Sequence, residues 1–176
     1  MGAFKTIYHS DLYRYRAHGC PIYTKCLLRF FRRAQTCNIP ILKLWYRAIY
    51  HIIATRRGIC ISSHCRIGKG LFLGHVSNIT INERAVIGEN CNIHKGVTIG
   101  QENRGKRKGT PKIGNYVWIG VNATIVGNIV IGDDVLIAPN SFVNVDIPSH
   151  SIAIGNPAVI KQRDKATEFY IDDAVE

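Results

Sequence analysis

The sequence predicts a mainly β protein: a parallel β-helix of short stacked strands with a helical segment on its N-terminal side. Three observations predict it. From residue 61 to 143 an aliphatic residue recurs at intervals of six, a small residue usually follows it, and before residue 58 the apolar spacing is three and four. A period of six fits neither a helix nor a single strand. It is the signature of a solenoid in which each coil buries one aliphatic residue per side on the coil below.

Residues 1–57 form the helical segment, with apolar residues at helical spacing over 23–34 and 41–55 and Arg or Lys between them. Pro40 opens the second of these helices, where a missing N–H is tolerated. Gly58 follows Arg56 and Arg57 as a C-terminal stop. The solenoid positions then run Ile61, Ile67 and Leu73; after a slip of two residues they continue as Ile81, Ile87, Ile93 and Ile99. Beyond a polar interruption come Ile113, Ile119, Ile125, Ile131, Ile137 and Val143. Thirteen such positions at three per coil give four to five coils.

Gly68, Gly74, Gly88, Gly100, Gly114, Gly120, Gly132 and Ala138 follow these aliphatics, and the expectation is that small residues let the chain bend at corners. Ala85, Cys91, Val97, Val117, Ala123, Val135 and Ser141, four residues after an aliphatic, are further core candidates. The interruption, 101–111, has no aliphatic residue and four cations, which marks a loop extruded from one coil. The division is therefore a helical segment 1–57, a solenoid 58–160 and a tail 161–176.

With 176 residues, 46% apolar and 20% charged, the chain is a globular domain, which excludes disordered and collagen-like classes. It lacks an apolar run long enough to span a bilayer, and residues 1–9 lack the apolar stretch of a secretory signal, so a cytoplasmic location is expected. The net charge of +11 is uneven: residues 1–57 carry +10, with Asp11 the sole acid, and residues 58–176 carry +1. Such a cationic segment suits anionic lipid or another polyanion. No nucleic-acid motif accompanies it. The six cysteines show neither a CxxC pair nor zinc spacing, so free, buried thiols and no metal are expected.

Five segments carry a resemblance: GKGLFLGH (68–75), HKGVTIG (94–100), PKIG (111–114), VWIGVNATIVGNIVIGDDVLI (117–137) and GNPA (155–158). In order and spacing they resemble the serine acetyltransferases of the hexapeptide-repeat superfamily. The resemblance implies a left-handed coil and an acetyl-CoA-dependent O-acetyltransferase assembled as a trimer with sites between subunits. It makes His75 the general base. An imidazole, with an ordinary pKa near 6.5, can take a proton from an attacking hydroxyl and return it to the leaving thiolate. His94 is the second candidate, and Glu83 a candidate to orient His75 or bind the acceptor. Gly100, Gly120, Val121, Ala138 and Pro139 match the cofactor groove, with Lys161 and Arg163 as phosphate partners.

The sequence departs from the family at the acceptor. Cys60 stands where the acid that orients the base belongs, Gly74 where an acid precedes the His, and Gly109 and Thr110 where an Arg and a His help grip the amino acid. A zwitterion whose charges find no partners binds poorly in a desolvated site. A saccharide hydroxyl is therefore the expected acceptor, as in short members of the family tied to surface-polysaccharide synthesis. L-serine is the alternative, and a non-catalytic trimeric scaffold binding membrane or polyanion is the third reading. The basic helices at 23–57 would cap the first coil or lie on the inner membrane face; the cap is preferred.

Overall fold

A computed structural model describes residues 2–17 and 19–175, so His18 lies outside the described residues. Three helices, α1 (Gly2–Tyr13), α2 (Ile22–Thr36) and α3 (Pro40–Thr55), precede a left-handed parallel β-helix of about five coils. The first coil holds β1 (Cys60–Ile61), β2 (Arg66–Ile67) and β3 (Phe72–Gly74). The second holds β4 (Thr80–Ile81), β5 (Val86–Ile87) and β6 (Asn92–His94). The third holds β7 (Thr98–Gly100), β8 (Lys112–Ile113) and β9 (Val117–Ile119). The fourth holds β10 (Thr124–Val126), β11 (Val130–Ile131) and β12 (Val135–Ile137). The last comprises β13 (Phe142–Val143) and β14 (Ser151–Ile154), and β15 (Val159–Gln162) pairs antiparallel with β14.

The six-residue period becomes three columns of buried aliphatics. Register pairs Ile61, Ile81, Ile99, Ile125 and Val143 on the first face, and Ile67, Ile87, Ile113 and Ile131 on the second. Leu73, Ile93, Ile119, Ile137 and Ala153 line the third. All are buried. Each fully buried Ile stabilises by about 1.5–3 kcal/mol relative to exposure, and the stacked columns supply the core.

The small residues after the aliphatics answer to a different constraint from the corner bend expected. Gly68, Gly88, Gly114 and Gly132 lie outside the left-handed region, but a Cβ on Gly68 would come within 2.7 Å of Gly88 backbone. Coils approach too closely there for any side chain. The left-handed corners fall instead to Asn78, Asn90, Asn122, Asp134 and Asn140, residue types that tolerate positive φ.

A solenoid's first coil has no coil above it to satisfy its backbone, and the helical layer takes that place. The Arg32 guanidinium donates to the carbonyls of Ile67 (2.9 Å) and Gly68 (2.7 Å), Gln35 to Cys65 and Tyr50 to Ile61. Tyr15 Oη donates to the Leu73 carbonyl and accepts from the Leu73 N–H, while Asp11 accepts from the Leu71 N–H. The helices therefore cap the first coil. Helix α1 lies within the expected helical segment but was not singled out as a separate helix; its residues do not segregate onto one apolar face, and it is held by buried Phe4 and Asp11.

The 101–111 loop is a short hairpin closed by Glu102 and Gly109, whose N–H groups and carbonyls bond mutually. All six cysteines are free, but only Cys65 and Cys91 are buried; Cys60 is exposed, contrary to expectation. Strand β15 spans the expected boundary at 160 and turns back on β14 rather than starting another coil. Among the described residues no helix is long and apolar enough to cross a membrane.

Candidate active site

The slip of two residues between Leu73 and Ile81 widens one corner of the first coil, and His75 sits in it with φ of 51°. Among the described residues its imidazole makes no hydrogen bond. His75 lines a cavity of about 590 Å³ together with Tyr15, Phe72, Asn92, His94, Trp118 and Tyr170. Strand register sets Gly74 beside His94, and the same corner continues down the next coils through Gly120 and Ala138. A column of corner residues therefore descends from His75.

His94 fills the space that Gly74 leaves. A Cβ on Gly74 would lie 2.4 Å from His94 Nδ1. The ring stands 4.8 Å from that of Trp118, and its Nε2 is buried without a partner among the described residues. Burial, with a smaller contribution from His75, holds the His94 pKa below the usual imidazole value. His94 is thus neutral at neutral pH, and its Nε2 is closed off from solvent as well as from the polar groups of the described residues.

Ala138, Pro139 and Arg163 line a second cavity of about 500 Å³, walled by Leu136 and Ile152. It shares Trp118, Phe169 and Tyr170 with the first. The two cavities thus form consecutive parts of one groove along the face of β3, β6, β9, β12 and β14. Apolar walls with Arg163 at one end, beside Lys165 paired with Glu168 at 3.5 Å, suit a long ligand ending in phosphate. At Gly120 the next coil approaches closely: a Cβ there would lie 2.6 Å from Pro139 N.

Other candidates fall elsewhere. Glu83 is exposed at the corner between β4 and β5 and lines neither cavity within the chain. Cys60 is exposed on β1, away from the His75 ring. Gly100, Gly120, Val121 and Lys161 also lie outside the lining of both cavities.

The tail supplies site residues that periodicity missed. Asp134 accepts from the N–H groups of Ala166 and Thr167 and from the Thr167 hydroxyl, fixing the tail's start. Burial raises the Asp134 pKa, but these bonds and His150 outweigh it and hold the carboxyl below its usual range. The tail then climbs the solenoid: Tyr170 packs edge-on against Trp118 at 5.1 Å, and Asn92 donates to the Tyr170 carbonyl. Arg14 donates to the Asp172 carbonyl, and Val175 and Asn90 bond mutually. The adjacent aromatics Phe169 and Tyr170 in a polar tail were the one sequence signal of this role.

Residues 110–144 match the family described as bacterial transferase hexapeptide (six repeats). The chain is 41% identical over 116 residues to serine acetyltransferase 2 of Arabidopsis thaliana, covering 66% of this chain and 36% of that protein. It is 37% identical over 119 residues to the serine acetyltransferase of Helicobacter pylori, covering 68% and 70%. A solved structure, the soybean serine acetyltransferase complexed with serine, superposes with a TM-score of 0.77 at 30% identity, covering 92% of this chain and 70% of that one. The chain spans about a third of the length of the plant relatives it matches.

Proposed function

This chain belongs to the serine acetyltransferase family of hexapeptide-repeat transferases, and from that membership we propose that it transfers the acetyl group of acetyl-CoA to an acceptor hydroxyl, with His75 as general base. The observation that carries the proposal is the groove: His75 and His94 at its head, Arg163 and Lys165 at its foot, and apolar walls between. That order matches a thioester at the imidazoles, a pantetheine arm along the solenoid and phosphates at the cations.

In this reading His75 takes the acceptor's proton as the oxygen attacks the thioester carbonyl. It then returns that proton to the thiolate as the tetrahedral intermediate collapses. General-base help of this kind contributes roughly 10²–10⁴-fold. The active unit is a homotrimer with the groove shared by neighbouring chains. Val130, Ile154 and Val159, exposed on the solenoid, are apolar surface that such assembly would cover.

For the acceptor, L-serine has the support of the named relatives, whereas no relative named above supports a polysaccharide. A saccharide hydroxyl is kept as a second reading on one observation. Within the chain His94 fills the place of one expected acid, Cys60 replaces another, and Phe72, Trp118 and Tyr170 give the cavity aromatic walls. Thiol release from acetyl-CoA, followed with L-serine or a panel of monosaccharides and nucleotide sugars as acceptor, separates the two. Release with L-serine alone establishes the first, and release with saccharides alone the second. A chain that binds no acetyl-CoA is a scaffold, and the proposal falls.

A further inference from the structure

Helix α3 is amphipathic in the reverse of the usual sense. At 100° per residue, Ile41, Leu44, Trp45, Ala48 and Ile52 share one face. That face points away from the body: Ile41 is 82% exposed, Leu44 70%, and Trp45 and Ile52 each 53%. The opposite face carries Tyr50 and Ala54 into the core and turns Lys43 and Arg47 toward the first coil, where Arg47 meets His64 Nε2 at 2.8 Å. A globular helix that needed only to cap the solenoid would present polar residues outward. Five contiguous apolar side chains in water mark a surface that something covers.

We propose that this face lies in the headgroup region of an anionic lipid bilayer, with α3 parallel to the membrane plane. The charge around it selects this occupant. The only acid among residues 1–57 is Asp11, and it is fully buried against Arg32. The helical layer therefore exposes no carboxylate, while Lys25, Arg29, Arg56 and Arg57 stand exposed on it. A second copy docked face to face through the same helical layer would bring the same uncompensated positive charge and no acid to meet it. Anionic phosphates compensate the cations while acyl chains take up Ile41, Leu44 and Ile52, and Trp45 suits the boundary between them. The surface is separate from the His75 groove, so the proposal stands whichever acceptor is correct.

The test is sedimentation of the full chain with vesicles of phosphatidylcholine, alone or with phosphatidylglycerol added. Binding at least about tenfold tighter to the anionic vesicles, weakening with salt, is expected. Ile41→Glu/Leu44→Glu should lower that binding by about tenfold or more, with thermal unfolding and thiol release from acetyl-CoA unchanged. Independently, Trp45 emission should shift to the blue on the anionic vesicles, and Trp45→Phe should abolish the shift. Absence of binding, equal binding to both vesicles, or full binding by the double variant overturns the proposal. So does a fall in solution mass by light scattering in the double variant, which would mean that a second copy covers the face.

Discussion

Gly74 and His94 occupy one volume: the side chain absent from the first is replaced by the ring of the second, 2.4 Å from where a Cβ would stand. The family resemblance puts an acid at position 74. Here an imidazole reaches the same space from the next coil, so the two positions act as a unit. The substitution at 74 therefore reads as a relocation of polar chemistry rather than its loss.

Because the pair shares space, Gly74→Ala forces the His94 ring to move, and overpacking of this kind costs about 1–3 kcal/mol. In a His94→Ala background the ring is gone and the cost of Gly74→Ala should largely vanish. Urea denaturation of the two single variants and the double measures this coupling. Additive effects would show that the ring does not occupy the space.

Protonation of His94 works against the fold. Its pKa is lowered by burial and by His75, so the unfolded chain binds this proton more readily than the folded one. The stabilisation is complete above the unfolded value near 6.5 and is lost as pH falls from there through the lower folded value. Denaturation midpoints taken from pH 8 to 5 should fall less steeply for His94→Gln than for the unaltered chain. Parallel curves would contradict it.

The cap depends on a buried ion pair. Asp11 holds Arg32 through Nε at 2.7 Å and Nη2 at 3.1 Å, and Arg32 in turn satisfies two carbonyls of the first coil. Asp11→Ala leaves a fully buried guanidinium without its carboxylate, a loss of about 3–5 kcal/mol. The expected readout is a large fall in the urea midpoint, and a change below about 1 kcal/mol would mean that water reaches Arg32.

The tail hangs on Asp134. Asp134→Ala removes three hydrogen bonds to Ala166 and Thr167, so residues 166–175 should lose protection in amide hydrogen exchange while β12 keeps its own. Since bonding holds the Asp134 carboxyl below its usual range, the unaltered tail should loosen only in acid, as pH falls through that lowered value. Unchanged exchange in the variant would show that Tyr170 and Trp118 alone anchor the tail.

The solenoid was legible because its core repeats in one dimension: thirteen positions from Ile61 to Val143 fall into three register columns without exception. His75 was singled out by its family motif, and the corner after β3 places it in a cavity. Glu83 came from the family resemblance, and within one chain it lines neither cavity. The separate helix α1 and the docking of the tail went unread for a common reason. Both are positioned by scattered long-range bonds, such as Asp11 to Leu71 and Asp134 to Thr167, and these leave no periodic trace. The partnership of Gly74 with His94 joins positions twenty residues apart and emerges only once β3 and β6 are paired.

The central claim is that His75 is the base at the head of an acetyl-CoA groove. Its most direct test is acceptor-dependent thiol release by the unaltered chain and by His75→Ala, with acetyl-CoA binding measured on both. The expected result is a fall of at least about 10²-fold in turnover with acetyl-CoA binding retained. Turnover that survives in His75→Ala at the unaltered rate would contradict the assignment outright.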